Sequence, residues 1–184
     1  MRDLAIGILL VIVLAIFIQP IVEVSNSGRE KIVLDAAITN SSRSAKKNAV
    51  TFMFMQELEA IINKQMFVDE FEKAYCATLD LTRVSPAPGA VIPETTNPVI
   101  LEYSSNTGRY NNIVVSLDFE DGTDYWDFTG THSASYLHEV TNVTITYETD
   151  YVFQNGLMQF MNNADGSSDY TITRTQTINV KMIN

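Results

Sequence analysis

The densest group of side chains that could do chemistry is an acidic stretch in the second half of the chain. It contains Asp118, Glu120, Asp121 and Asp124, together with a glycine at the turn. Carboxylate oxygens are the ligands that Ca²⁺ requires, so these four residues are the candidate calcium ligands. Their spacing does not follow the EF-hand pattern, and acidic hairpin turns commonly hold no metal. We therefore expect a solvated turn and no cofactor, with bound calcium as the alternative.

Side chains suited to catalysis are sparse. His132 and His138 can be combined with nearby serines and aspartates into a triad only on paper, because no nucleophile-elbow motif accompanies them. They are six positions apart, which is not the His-x-x-x-His spacing of a helical zinc site. Cys76 is the only cysteine, so it cannot form an intrachain disulfide, and we expect it to be buried as a small apolar residue. The sequence predicts a protein that is not an enzyme.

Composition limits the class of partner. The chain has 184 residues and a formal net charge of −10 at pH 7. Nucleic acids and anionic lipid surfaces attract proteins through basic patches, and here lysine and arginine cluster only at Arg43, Lys46 and Lys47. We therefore expect no nucleic-acid partner.

A long apolar segment near the N-terminus dominates the organisation of the chain. It runs from Leu4 to Val22, and the part before Gln19 contains no polar side chain. As an α-helix its nineteen residues would reach about 28 Å, close to the hydrocarbon thickness of a bilayer. Three interpretations remain open: a secretory signal, a permanent membrane anchor, or a helix that leaves the membrane and packs among copies of itself.

Two residues favour the third interpretation. Asp3 places a carboxylate at the edge of the apolar helix, where an unpaired acid is costly and usually has a partner. Pro20 follows seventeen positions later, where it removes a backbone hydrogen bond and tends to kink the helix.

This arrangement resembles the type IV pilin superfamily, whose subunits begin with an apolar helix that carries an acid and, seventeen residues later, a proline. The small and acidic residues between 35 and 45 are similar to those of TadE-like pilins. The resemblance implies that Asp3 pairs with the terminal amine of a neighbouring subunit, that Pro20 kinks the helix, and that the apolar helices form a filament core. The family acid is normally glutamate, so Asp3 is one methylene shorter.

Residue periodicity divides the chain into four parts. These are an apolar transmembrane or filament-core helix (1–24), a helical stalk with a second helical region (25–84), a proline-rich connector (85–98) and an antiparallel β-sheet outer domain (99–184). We expect the first helix to continue past the apolar segment with a bend or break at residues 25–28. The fold class is α+β, with the sheet packed on the helices.

Two apolar stripes at helical spacing mark the second helical region, from 51 to 81. One consists of Met55, Leu58, Ile62 and Met66, and the other of Phe67, Phe71, Tyr75 and Leu79. Their offset predicts two helices, or one helix that bends near Gln65.

Alternation by two predicts the strands that follow. The buried faces are expected to hold Ile113, Val115, Leu117 and Phe119, then Val143, Ile145 and Tyr147, and finally Tyr170, Ile172, Ile178, Val180 and Met182. Arg174 and Gln176 interrupt the last of these faces, which indicates a strand that is bulged or at an edge of the sheet.

These observations predict a structural subunit of an extracellular pilus filament. It would lie in the cytoplasmic membrane before assembly and would then pack with copies of itself in a helical homo-oligomer on the cell surface. The alternative is a single-pass envelope protein with an extracytoplasmic, β-rich binding domain.

Overall fold

A computed structural model describes residues 2–52, 60–93, 95–121, 137–154, 156, 158–160 and 170–180. The main elements of the described fold are two long helices and seven strands. In chain order they are α1 (Arg2–Ala49), β1 (Val50–Phe52), β2 (Ala60–Asn63), α2 (Lys64–Leu79), β3 (Leu81–Ser85), β4 (Val99–Ser105), β5 (Tyr110–Asp121), β6 (Leu137–Tyr151) and β7 (Tyr170–Asn179). This confirms the α+β class, with a long apolar N-terminal helix, a further helix and an antiparallel sheet.

The sheet is antiparallel at every pairing. Strands β3, β4, β5 and β6 are neighbours in that order, and β7 pairs with β6 along residues 142–151. The first residues of β6 also pair with β2, which in turn pairs with β1. The sheet therefore begins well before the predicted boundary at residue 99, because β1, β2 and β3 all precede it. Among the described strands β7 pairs with β6 alone, so it lies at an edge there, as the interruption by Arg174 and Gln176 indicated.

One face of the sheet forms the core. The predicted apolar faces of β5 and β6 are buried throughout, which confirms the alternation there; on β7, Ile172 is buried and Ile178 is partly buried, whereas Tyr170 is exposed. The other face carries hydroxyls, amides and carboxylates, including paired threonines at Thr144 with Thr177 and Thr146 with Thr175. One buried face and one solvated face are typical of an antiparallel sheet.

Helix α2 covers the core side of β4 and β5. Its four-residue stripe of Phe67, Phe71, Tyr75 and Leu79 is buried as predicted. The ring of Phe67 meets Phe119 edge-on at 5.6 Å, and the rings of Tyr75 and Tyr103 are 5.5 Å apart.

The helical prediction for 51–81 is correct only for Lys64–Leu79, and Leu81 already belongs to β3. Thr51, Phe52 and residues 60–63 are strands, and Met55 and Leu58 lie outside the described residues. Asn63 ends β2 and caps α2, since its side chain accepts a hydrogen bond from the backbone N–H of Met66 at 2.9 Å. Ile62 is consequently buried in the sheet, while Met66 is 45% exposed on the helix.

Helix α1 is continuous through residues 25–28, so the predicted break does not occur. One face of its second half is buried, at Ser27, Leu34, Ala37, Ile38, Ser41, Ser42, Ala45 and Ala49. The buried serine hydroxyls donate to backbone carbonyls one turn earlier, so they carry no unpaired donor into the core. The small residues on this face are compatible with the close approach of α2 to α1. Tertiary packing thus holds the helix together across the weak Ser-Asn-Ser-Gly sequence.

The proline-rich connector has no regular secondary structure in its described residues after Ser85. It is nevertheless fixed to both layers. The Asn97 side chain exchanges two hydrogen bonds with the backbone of Phe119, at 2.9 and 3.0 Å, and the backbone N–H of Ile92 donates to Gln65 at 2.9 Å.

Candidate assembly and membrane-contact site

The first half of α1 is an apolar rod that the rest of the chain leaves uncovered. Its large side chains between Ile6 and Val22 are 42% to 67% exposed, and none of the residues in its most apolar 18-residue window is buried. The helix is long and apolar enough to cross a membrane. An apolar surface on every side of a helix must be covered by lipid or by other helices.

The two residues that carry the pilin resemblance both lie within this helix. The backbone of Asp3 is helical, and its side chain lies outside what the structure describes. Pro20 is inside α1, where its ring nitrogen has no hydrogen to donate to the carbonyl oxygen of Ile16. The helix continues for 29 residues beyond it, to Ala49.

A buried carboxylate marks the point where the rod meets the folded domain. Glu23 is only 7% exposed, and its Oε1 accepts the backbone N–H of Gln154, just after β6, at 2.5 Å. Burying a carboxylate is costly unless it is hydrogen-bonded, so this contact fixes the domain to the helix directly above the apolar segment.

Two further acids on α1 bind tyrosines of the sheet. Glu30 accepts from Tyr110 Oη and from Arg109 Nη1, each at 2.6 Å. Asp35 accepts from Tyr147 Oη at 2.6 Å. Burial and these carboxylate partners raise the pKa of both tyrosines, so the phenols stay protonated and continue to donate at physiological pH.

The polar residues that interrupt the apolar face of β7 serve the same interface. Arg174 lies 3.5 Å from Asp35, and the Gln176 side chain accepts from Thr39 Oγ1 at 3.2 Å. Lys46 Nζ donates to the backbone carbonyl of Asn179 at 2.7 Å. Polar contacts therefore join α1 to the sheet from Glu23 to Lys46, along the whole length of the packed half.

The calcium candidates are only partly described. Asp118 and Glu120 lie two residues apart on the solvated face of β5, and Glu120 accepts a hydrogen bond from Asn142 at 2.8 Å. Asp121 ends β5 and its side chain lies outside the described residues, as does the whole of Asp124. Within the described part of the chain, no three His, Cys, Asp or Glu side chains come close enough to hold a metal ion.

Of the histidines, serines and aspartates that could be combined into a catalytic triad, the structure describes His138 alone. His138 lies on β6 opposite Ile62, and His132 lies outside the described residues. Cys76 is a free thiol on α2 that is half-buried against the core. Burial raises its pKa to about 11, and the nearby Glu72 carboxylate contributes to the rise.

Two open clefts flank Glu23 at the base of the domain. The larger, about 590 Å³, lies between α1 and the β4–β5 turn and is lined mainly by Asn26, Arg29, Glu30, Thr107, Arg109, Tyr151 and Gln154. The second lies beside the rod and is lined by Ile18, Gln19, Val22, Glu23, Gln154 and Gly156.

Sequence reasoning missed the acids that fix α1 to the sheet. The signal was present, because Glu23, Ser27, Glu30 and Leu34 follow 4, 3, 4 spacing and so share one face of the helix. An acid on such a face is ordinarily assigned to solvent, and the partners of Glu23 and Glu30 lie 79 to 131 positions away in the chain.

Comparisons with known proteins add no relative. No protein-family model, no curated protein and no solved structure matches the chain.

Proposed function

We propose that this protein is a structural subunit of an extracellular, pilus-like filament. One observation carries the proposal: an apolar rod, exposed on every side, continues without interruption into the half of α1 that is packed on the domain. Before assembly the rod spans the cytoplasmic membrane. During assembly it leaves the lipid and is covered by the rods of neighbouring copies.

The way α1 is fixed to the sheet favours a filament subunit over a simple membrane anchor. A repeating helical assembly needs the same orientation between the contact surface and the rest of the subunit in every copy. Here α1 supplies that orientation, since Glu23, Glu30 and Asp35 fix it to the sheet over about three turns. A permanent anchor does not need this rigidity, because it holds its domain equally well through a flexible linker.

Each part of the chain then has a role. The apolar segment forms the core, and Asp3 sets the register by neutralising the terminal amine of a neighbouring copy, as the pilin resemblance implies. The sheet lies outside, with its face of threonines and carboxylates toward solvent. In this proposal the chain carries out no catalysis, and its partner is a second copy of itself.

Mechanical shearing of intact producing cells tests the proposal. We expect the protein in the high-speed pellet of the sheared medium, with the apolar segment still present when its N-terminus is sequenced. Protein that stays with the membranes until detergent is added would contradict the filament and would support the single-pass anchor with an outward-facing binding domain. Soluble protein that begins near Gly28 would indicate a cleaved secretory signal.

A further inference from the structure

The base of the domain lies at the depth where the apolar segment would leave a bilayer. Gln154 and Gly156 line a cleft together with Ile18, Gln19 and Val22, so the chain that follows β6 runs beside the last turn of the rod. The hydrocarbon layer is about 30 Å thick, which the helix from Leu4 to Val22 spans. Residues beside Val22 would therefore lie among lipid headgroups.

An exposed aromatic side chain follows within a few residues. Phe160 is 70% exposed, and at most about 14 Å of chain separates it from Gly156. The neighbouring Gln159 Nε2 donates to the backbone carbonyl of Phe153 at 2.6 Å, which holds this stretch against the end of β6. Aromatic side chains are enriched at membrane interfaces.

The larger of the two clefts, between α1 and the β4–β5 turn, offers positively charged hydrogen-bond donors. Arg29 lines the cleft and is exposed, and the Arg109 side chain is 59% exposed. Its bond to Glu30 uses Nη1, and a guanidinium carries five N–H donors in all.

The carboxylates of the same cleft are already engaged. Glu23 accepts from the backbone of Gln154, and Glu30 accepts from Arg109 and Tyr110. The positively charged hydrogen-bond donors of the cleft are Arg29 and Arg109.

The position of Arg29 along α1 also places its side chain within reach of the lipid headgroups. Its Cα lies seven residues beyond Val22, about 10 Å along the helix. Side chains on an α-helix lean toward its N-terminus, so the guanidinium reaches back toward the apolar segment. The headgroup layer extends about 5 to 7 Å beyond the hydrocarbon on each side, which brings phosphate within reach.

We propose that, before assembly, the base of the domain docks on the phospholipid that surrounds the rod. Arg29 and Arg109 bind a headgroup phosphate, and the segment that carries Phe160 enters the interface. The net charge of −10 disfavours an anionic membrane, so the partner is the phosphate of a zwitterionic phospholipid. This inference rests on the membrane-inserted stage of the proposed function, and it implies that assembly must break the lipid contact.

Spin labels on the full chain test the docking. In a Cys76→Ala background, single cysteines at Ile12, Phe160 and Lys47 carry a nitroxide, and the protein is reconstituted in phosphatidylcholine vesicles. For each label, the ratio of its accessibility to oxygen to its accessibility to a water-soluble nickel chelate then gives its depth in the membrane. We expect position 12 in the hydrocarbon, position 160 in the interface and position 47, at the far end of α1, in water.

The Arg29→Gln variant tests the phosphate contact. A hydrogen bond between charged groups is lost, so we expect the ratio of docked to undocked domain, read at position 160, to fall about tenfold. Arg43→Gln, an exposed arginine farther along the same helix, should leave the ratio unchanged. In vesicles of an uncharged galactolipid, which has no phosphate, Arg29→Gln should have no effect.

The outcomes separate the two proposals. If position 12 lies in hydrocarbon but position 160 is as accessible to nickel as position 47, the docking is wrong and membrane insertion stands. An equal effect of Arg29→Gln in both lipids would overturn the phosphate contact. If position 12 is itself in water, the membrane-inserted stage fails, and the docking fails with it.

Discussion

The carboxylate of Asp35, on α1, accepts a hydrogen bond of 2.6 Å from the hydroxyl of Tyr147, on β6. The two residues are 112 positions apart in the chain. Tyr147 is buried in the core, and Asp35 also lies 3.5 Å from Arg174 on the edge strand. This contact ties the helix that carries the apolar rod to the middle of the sheet.

Removing the tyrosine hydroxyl should weaken this junction. Tyr147→Phe keeps the ring in the core but leaves Asp35 with the longer Arg174 contact alone. We expect the free energy of unfolding to fall by about 1 to 3 kcal/mol, measured by urea denaturation of the full chain in detergent micelles. Tyr170→Phe, at an exposed ring, is the matched control, and an equal loss in both variants would contradict the role of the Asp35 contact.

The close packing of the buried face of α1 can be tested at two neighbouring alanines. Ala37 is 1% exposed and Ala36 is exposed on the same turn. Ala37→Leu should destabilise the domain by about 1 to 3 kcal/mol because the larger side chain has no space, while Ala36→Leu should cost little. Thermal unfolding in micelles measures both, and a melting temperature of Ala37→Leu equal to that of Ala36→Leu would show that α1 is not tightly packed at Ala37.

Residue periodicity was sufficient to predict the elements in which one face is regularly buried. The stripe from Phe67 to Leu79 and the alternation of β5 and β6 each describe one buried face, and both were predicted correctly. Pattern failed for β2, because Ile61 and Ile62 also fit the helical spacing of the residues around them. Whether a short apolar run is strand or helix depends here on pairing with β6, more than 70 residues later.

The contacts between α1 and the sheet could not be predicted from residue periodicity, for a different reason. Arg174 and Gln176 could be recognised as interruptions of an apolar face, but nothing near them identifies Asp35 and Thr39 as their partners. Of the bend or break predicted at 25–28, the break does not occur, because buried contacts of Glu23 and Ser27 outweigh the low helix propensity of that stretch. In the candidate site, the apolar segment was evident from the composition of the sequence, whereas its attachment to the sheet could be seen only in the structure.

The raised pKa of Cys76 predicts slow alkylation. With a pKa of about 11 in place of 9.0, the thiolate fraction near pH 8 is about a hundredfold lower than that of an ordinary thiol. The rate of reaction with iodoacetamide, followed by mass spectrometry, should keep rising with pH through 10. A rate that levels off below pH 9 would contradict the burial of this thiol, and the urea-unfolded chain is the control for its intrinsic reactivity.

Asp3 is the residue on which the assembly register depends in the proposed function. Asp3→Ala should abolish sheared filaments while leaving the melting temperature of the domain unchanged, because Asp3 lies far from the folded core. Asp3→Glu, which restores the acid of the pilin family, should retain filaments. The control is Asp118→Ala, which removes an exposed carboxylate from the solvated face of β5 and should assemble normally. Filaments of normal length from Asp3→Ala would contradict the role assigned to Asp3.

Cross-linking between copies tests the central claim most directly. Single cysteines at the four consecutive positions from Leu9 to Ile12, in a Cys76→Ala background, sample a full turn of the rod. Oxidation of sheared extracellular material should yield disulfide-linked dimers from at least one of these positions, and a cysteine at Asp118 on the outer face should yield none. If all four positions stay monomeric, and the protein is recovered only from detergent-solubilised membranes, the rods do not pack together and the filament account is wrong.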